Sequence, residues 1–262
     1  MTDPLRQQPD PQSNAQATAL RLSAVRERIE RACAASARPP GAVQLLAVSK
    51  TFGHDRVLGL AAAGQRAFGE NYLQEALDKI EACQREAPHL SLIWHFIGPV
   101  QSNKTRSIAE SFDWVHSVDR DKIGRRLSEQ RPAELPPLSL CLQVNLSGEA
   151  SKSGCEPHEA IGLAMKLAEL ERVRLRGLMT LPAPGQEALA RDRPFERLRM
   201  LFDQIREKLA IELPGRVQDF DTLSMGMSDD LEQAIAAGAT IVRVGTALFG
   251  RRDTDQSIRP SP

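Results

Sequence analysis

Charge of one sign is what this chain most conspicuously lacks: 34 Lys plus Arg balance 34 Asp plus Glu over 262 residues. No net field therefore recruits nucleic acid or an anionic membrane surface, and any anion that binds must be captured by local geometry. Aromatic residues make up only 4%, with one tyrosine, Tyr72. The four cysteines, Cys33, Cys83, Cys141 and Cys155, include no Cys-x-x-Cys pair, which argues against a zinc site or a disulfide framework and makes reduced thiols the expectation. No apolar run approaches the roughly 18 residues of a membrane helix. There is no His-x-His or His-Glu-x-x-His spacing, so a metal-dependent barrel hydrolase has little support. The segment from Met1 to Gln16 has no apolar centre of the kind a signal peptide needs. These absences predict a cytoplasmic protein with a disordered leader over residues 1–18 and a flexible tail over 253–262.

What is present is ordinary globular material, 41% hydrophobic and 26% charged, arranged in an alternating rhythm. Short runs rich in branched apolar residues read as strands at Val43–Val48, Arg66–Gly69, Ile93–Ile97, Trp114–Val118, Leu138–Leu146, Val173–Leu178, Thr222–Met225 and Thr240–Val244. Helical patterns read at Ala19–Ala37, Leu73–Arg85, Asn103–Glu110, Asp121–Gln130, His158–Leu170, Phe195–Leu209 and Leu231–Ala237. Strand–helix alternation implies a parallel sheet flanked by helices, and eight strands over this length suggest one closed (β/α)8 barrel of TIM type across residues 19–252, with an additional N-terminal helix. An open dinucleotide-binding sheet would ordinarily carry Gly-x-Gly-x-x-Gly after an early strand, and Ser49–His54 has no such turn.

Reactive groups in a barrel lie where the strands end at their C-terminal side. The first strand ends Ala47-Val48-Ser49-Lys50, which places an amine at the rim. Such a lysine is either a solvated surface residue or, if its amine is made nucleophilic, a Schiff-base residue. Leu223-Ser224-Met225-Gly226-Met227-Ser228-Asp229 follows strand seven and Arg243-Val244-Gly245-Thr246 follows strand eight. Both loops combine small residues with hydroxyls, the materials of a phosphate site, although turns and caps use the same residues. Phe68-Gly69-Glu70-Asn71-Tyr72 brings a carboxylate, an amide and a phenol to the rim after strand two, and it reads equally well as a helix N-terminus with Glu70 or Asn71 as cap and Tyr72 packed below. His95 and His116 sit inside apolar runs, where hydrogen-bonded core histidines are expected. The loop Asn145–Cys155, with Lys152, either covers the mouth or is a solvated turn.

Taken together, Leu46-Ala47-Val48-Ser49-Lys50-Thr51, Phe68-Gly69-Glu70-Asn71-Tyr72, Trp94-His95-Phe96-Ile97-Gly98-Pro99, Gln101-Ser102-Asn103-Lys104, Leu223–Ser228 and Arg243–Gly250 resemble, in order, the pyridoxal 5'-phosphate (PLP) homeostasis proteins. These have an alanine-racemase-like barrel without that enzyme's second domain. The resemblance implies that Lys50 holds PLP as an internal aldimine, that Ser224, Gly245 and Thr246 hold its phosphate, that Asn71 lies near the ring, and that Arg243 faces the pyridine nitrogen. A guanidinium only donates, so the ring nitrogen would stay unprotonated and the cofactor would be a weaker electron sink. Phe52-Gly53 departs from the basic residue and proline that many members carry just past the lysine, which bears on the shape of that loop. The resemblance implies a non-catalytic PLP carrier or buffer, expected as a monomer, with PLP-dependent apo-enzymes as its acceptors. The rivals are an amino-acid racemase and a scaffold for another phosphorylated ligand in which Lys50 merely pairs the anion. A racemase needs a second proton-transfer group opposite Lys50; the racemases of this type supply it as a tyrosine from their second domain, leaving Cys155 and His95 as candidates here.

Overall fold

The computed structural model describes residues 11–147, 153–181 and 193–250. In them β1 (Gln44–Val48), β2 (Ala67–Glu70), β3 (Ile93–Phe96), β4 (Trp114–Val118), β5 (Leu138–Gln143), β6 (Val173–Met179), β7 (Thr222–Ser224) and β8 (Ile241–Val244) close a parallel barrel in sequence order. The helices are α1 (Pro11–Ala35), α2 (His54–Ala62), α3 (Leu73–Glu86), α4 (Thr105–Ser111), α5 (Asp121–Gln130), α6 (Pro157–Ala168), α7 (Pro194–Glu212), α8 (Leu231–Ala236) and the single turn α9 (Thr246–Phe249). This is the expected (β/α)8 barrel with an N-terminal helix. Closure comes from β1 pairing β8, with Leu46 opposite Arg243 and Ala47 opposite Val244.

Strand alternation divides the apolar residues into two populations. Leu45 and Ala47 of β1 join the large core between the barrel wall and the helices. Leu46 instead packs with Ala67, Ile241 and Ile97 in a separate small cluster, the apolar plug inside the barrel. Leu46 is fully buried, and truncating such a side chain typically costs about 2–5 kcal/mol.

Two boundaries and one whole helix depart most from the sequence expectation, for physical reasons. The first helix begins at Pro11, so residues 11–18 are helical and Thr18 is buried rather than part of a disordered leader; residues 1–10 and the expected tail at 253–262 lie outside the described residues. Leu22, Val25, Ile29, Ala32 and Cys33 form the buried stripe of α1, while Leu20 is exposed. The fifth strand stops at Gln143, opposite the end of β6 at Met179, and Val144 then makes an isolated bridge to Cys155. A further helix, α2, lies between the first two strands, where the sequence pattern gives none; it buries Val57, Leu60 and Ala61, an i, i+3, i+4 pattern short enough to be obscured by Gly59.

No described helix is long and apolar enough to cross a membrane. All four cysteines are free and buried, as expected for reduced thiols.

Candidate functional site at the barrel mouth

Lys50 lies two residues past the end of β1, and the alternation of Leu46 and Val48, carried on past the strand end, puts it on the inward side. It is half-buried. Because β1 lies beside β8 in the register given above, Lys50 neighbours the Gly245–Thr246 turn, although nearly two hundred residues separate them in sequence. Gly245 is close to β1: a Cβ there would meet the Val48 carbonyl oxygen at 3.3 Å. Gly98, at the end of β3, is tighter still, since its Cβ would fall 2.1 Å from the Asn71 carbonyl oxygen. Only glycine allows β2 and β3 to bring their loops together there.

Below this rim, polar side chains span the barrel interior. The Arg243 guanidinium is buried; Nη1 donates to Ser224 Oγ at 2.8 Å and Nη2 to the Thr180 carbonyl oxygen at 2.8 Å. Ser224 Oγ lies 2.8 Å from His116 Nδ1, and His116 Nε2 lies 2.9 Å from His95 Nδ1. Burial lowers Arg243 to about 10, which leaves it charged at neutral pH. Burial also lowers His95 to about 3 and takes His116 well below its ordinary value, helped by His95 and the Arg243 charge. Both imidazoles are therefore neutral.

Counting protons along this row fixes its direction. Arg243 can only donate, so Ser224 Oγ accepts from it and has one hydrogen left to give. If that hydrogen goes to His116 Nδ1, then His116 donates from Nε2 to His95, and only His95 Nε2 lacks a partner among the described residues. The reverse direction would strand the serine hydrogen as well. The first arrangement leaves fewer buried orphans and is preferred. Ser224 is thus fully engaged with Arg243 and His116 in the interior, whereas the hydroxyl-bearing Thr246 is exposed and Ser228 half-buried.

Two neighbours steady the loop after β7. The Asp230 carboxylate accepts from the Met227 amide, and Arg28 of α1 donates to the Ser228 carbonyl oxygen at 2.6 Å. Asn71 lines a cavity of about 220 Å³ with Ile97, Pro99, Gln143, Asn145 and Leu181, and its Oδ1 is buried without a partner among the described residues. The structure therefore gathers Lys50, Gly245 and Thr246 at the β1–β8 side and Arg243 with Ser224 beneath; Asn71 lines the cavity formed by β2, β3, β5 and β6.

Each reading of the β2 loop holds only in part: the loop leads into the N-terminus of α3 with no side-chain cap, and Asn71 and Tyr72, but not Glu70, reach the rim. Glu70 is not a cap but is fully buried, accepting from Ser49 and Lys79, and Tyr72 is 55% exposed rather than packed below. His95 and His116 are the expected core histidines, bonded to one another. The cluster of Lys79 with Glu70 and Glu75 escaped the sequence reading; a lysine within the helical stripe Ala76, Ile80, Cys83 was its one signal. Lys152 lies outside the described residues.

Residues 20–253 match the model of the alanine racemase N-terminal domain. The pyridoxal phosphate homeostasis protein of Pseudomonas aeruginosa is 57% identical over 232 residues, covering 88% of this chain and 94% of that protein. The protein of the same name from Escherichia coli K12 is 50% identical, covering 88% and 95%. Among solved structures, PipY of Synechococcus elongatus with PLP bound superposes with a TM-score of 0.74 at 35% identity, covering 89% of this chain and all of that one. Alanine racemase from Corynebacterium glutamicum, at 17% identity and a TM-score of 0.59, shares the fold, and this chain spans 63% of its length. On its fold, its mouth and these relatives, the chain belongs to the pyridoxal phosphate homeostasis protein family.

Proposed function

We propose that this protein binds PLP at the barrel mouth and serves as an intracellular, cytoplasmic carrier or buffer of the cofactor without turning over amino acids. The observation that supports the reading is the β1–β8 closure, whose register runs the chain at Lys50 alongside the Gly245–Thr246 turn that follows Arg243 and Val244. The residues present fit the cofactor: an amine at the rim, small residues and a hydroxyl beside it, a guanidinium held by two bonds with donors to spare, and an unpartnered buried amide oxygen on Asn71. When bound, PLP supplies an electrophilic aldehyde and an electron-accepting ring. Lys50 is the residue that would hold the aldehyde, and Arg243 the one that would donate to the ring nitrogen. Acceptance of the cofactor by PLP-dependent apo-enzymes and a monomeric state belong to the same proposal.

The absence of turnover rests on what surrounds Lys50. Proton transfer on the face opposite Lys50 requires a group within reach whose pKa is near the working pH. The Cys155 thiol is buried and pushed up to about 12, and His95, lowered to about 3, sits in the interior row. The exposed Tyr72 side chain lies out at the rim. Incubation of the PLP-loaded protein with L-alanine, L-serine and L-glutamate in D2O, followed by NMR, is expected to show no loss of α-proton signal beyond that caused by free PLP. Enantiomer formation at about 1 s⁻¹, abolished by Lys50→Ala, would establish the racemase instead.

The interior position of Ser224 changes its proposed role. We assign the phosphate to Gly245, Thr246 and Ser228, with Ser224 acting through Arg243. Hydrogen bonds to a charged group contribute about 1.5–3 kcal/mol each, so Thr246→Val should weaken PLP at least about tenfold while leaving the weak binding of pyridoxal, which lacks the phosphate, unchanged. Ser224→Ala should weaken both compounds by a similar factor. Equilibrium titration of the two ligands followed by absorbance checks this; a phosphate-selective loss in Ser224→Ala would return that residue to the phosphate.

A further inference from the structure

We propose that Lys79, Glu70 and Glu75 form a buried clamp that fixes the backbone on both sides of Lys50, and are thereby positioning residues for its amine; the proposal rests on the reading that Lys50 holds the cofactor. Lysine is seldom fully buried unless paired, yet Lys79, midway along α3, is 4% exposed. Its ammonium has three hydrogens and three acceptors: the Ser49 carbonyl oxygen at 2.8 Å, Glu70 Oε1 at 2.6 Å and Glu75 Oε1 at 3.0 Å. Glu70 Oε1 also accepts from Ser49 Oγ at 2.6 Å. Glu75 Oε1 also accepts from the Thr51 amide at 2.6 Å.

The Ser49 carbonyl belongs to the peptide entering Lys50, and the Thr51 amide to the peptide leaving it. One cluster thus grips both peptides of a single residue. Thr51 is held at φ 68°, a left-handed conformation that a β-branched residue rarely adopts and that persists only where its surroundings impose it. The grip comes from α3 and β2, through Ser49 on the outward side of β1, so it leaves the Lys50 side chain free on the inward side. Lys50 itself makes no hydrogen bond or ion pair among the described residues, so its placement depends on its backbone. Two carboxylates around one ammonium also exceed what neutralising Lys79 would need. The second carboxylate, Glu75, is the one that reaches Thr51.

Glu75 is the accessible test, because its side chain is one-third exposed and alanine suits a helix. The full-length protein stripped of PLP is mixed with PLP, and three quantities are measured: the rate at which the cofactor–lysine absorbance band grows, the PLP concentration that half-saturates it, and the thermal midpoint before PLP is added. Wild-type protein is also reduced with borohydride and mapped. Glu75→Ala is expected to slow capture at least about tenfold, since small misplacements of a reacting group have effects of that size, while the thermal midpoint falls by only a few degrees. Glu75→Gln, which keeps an acceptor oxygen for the Thr51 amide but no charge, should restore most of the rate. Lys79→Met should lose both capture and stability. Capture by Glu75→Ala at the wild-type rate and half-saturation, or a loss that Glu75→Gln does not reverse, overturns the clamp. These results are read against a wild type labelled on Lys50; a wild type not labelled there overturns the binding reading and the clamp together.

Discussion

Lys50→Ala is expected to abolish the absorbance band of lysine-bound PLP and to lower retention of the cofactor on dialysis by at least about a hundredfold, which corresponds to about 2.7 kcal/mol. The fold should be indifferent to the change. The side chain is half-buried and has no partner among the described residues, and substitutions of that kind usually stay within about 0.5 kcal/mol. The backbone it leaves behind remains gripped at Ser49 and Thr51. Residual binding should survive through the phosphate loop and Arg243, so the variant should still bind PLP weakly and reversibly, without the band. Loss of the band together with loss of native circular dichroism would instead assign Lys50 a structural role.

Acidification from pH 7.5 to 5.5 is expected to destabilise the protein on the order of 3 kcal/mol, through His95 and His116. Both are held neutral, with folded pKa values depressed below the ordinary 6.5 mainly by burial. In the unfolded chain they titrate normally, so below pH 6.5 the unfolded state binds more protons and stability falls with pH. Each histidine that stays neutral costs about 1.4 kcal/mol at pH 5.5 relative to neutral pH. The buried carboxyls Glu70, Asp113, Asp119 and Asp230 are shifted up by burial. They act in the opposite sense, favouring the folded state as pH falls, from a starting point closer to the ordinary carboxylate range. Urea unfolding at pH 7.5, 6.5 and 5.5 should show the fall, and the double variant His95→Gln with His116→Gln should flatten it. A wild-type profile as flat as the variant's would mean that the pair does not remain neutral in the fold.

Much of this molecule was legible because its signals are local. Strand alternation and helical stripes located all eight strands, and β4 and α5 kept their predicted limits. The order of the motifs also located the lysine and the loops after β7 and β8. What escaped depends on contacts distant in sequence. Nothing near Gln143 announces the end of β5, which is set by where its partner β6 stops. The hydroxyl of Ser224 resembles a phosphate donor in its own loop, yet β4 and β8 deliver His116 and Arg243 to it across the barrel. Lys79 lies in the apolar stripe of α3, but the acceptors that explain its burial come from β2 and from Ser49 just past β1. The start of α1 is not announced locally, because Pro11 opens a stretch rich in Gln, Asn and Ala with no apolar period.

The PLP-loaded wild-type protein, reduced with borohydride, digested and mapped by mass spectrometry, tests the central claim most directly. One reduced cofactor per chain is expected, on the peptide that contains Lys50. A cofactor fixed on any other lysine, Lys104 and Lys152 included, with Lys50 unmodified, would contradict it.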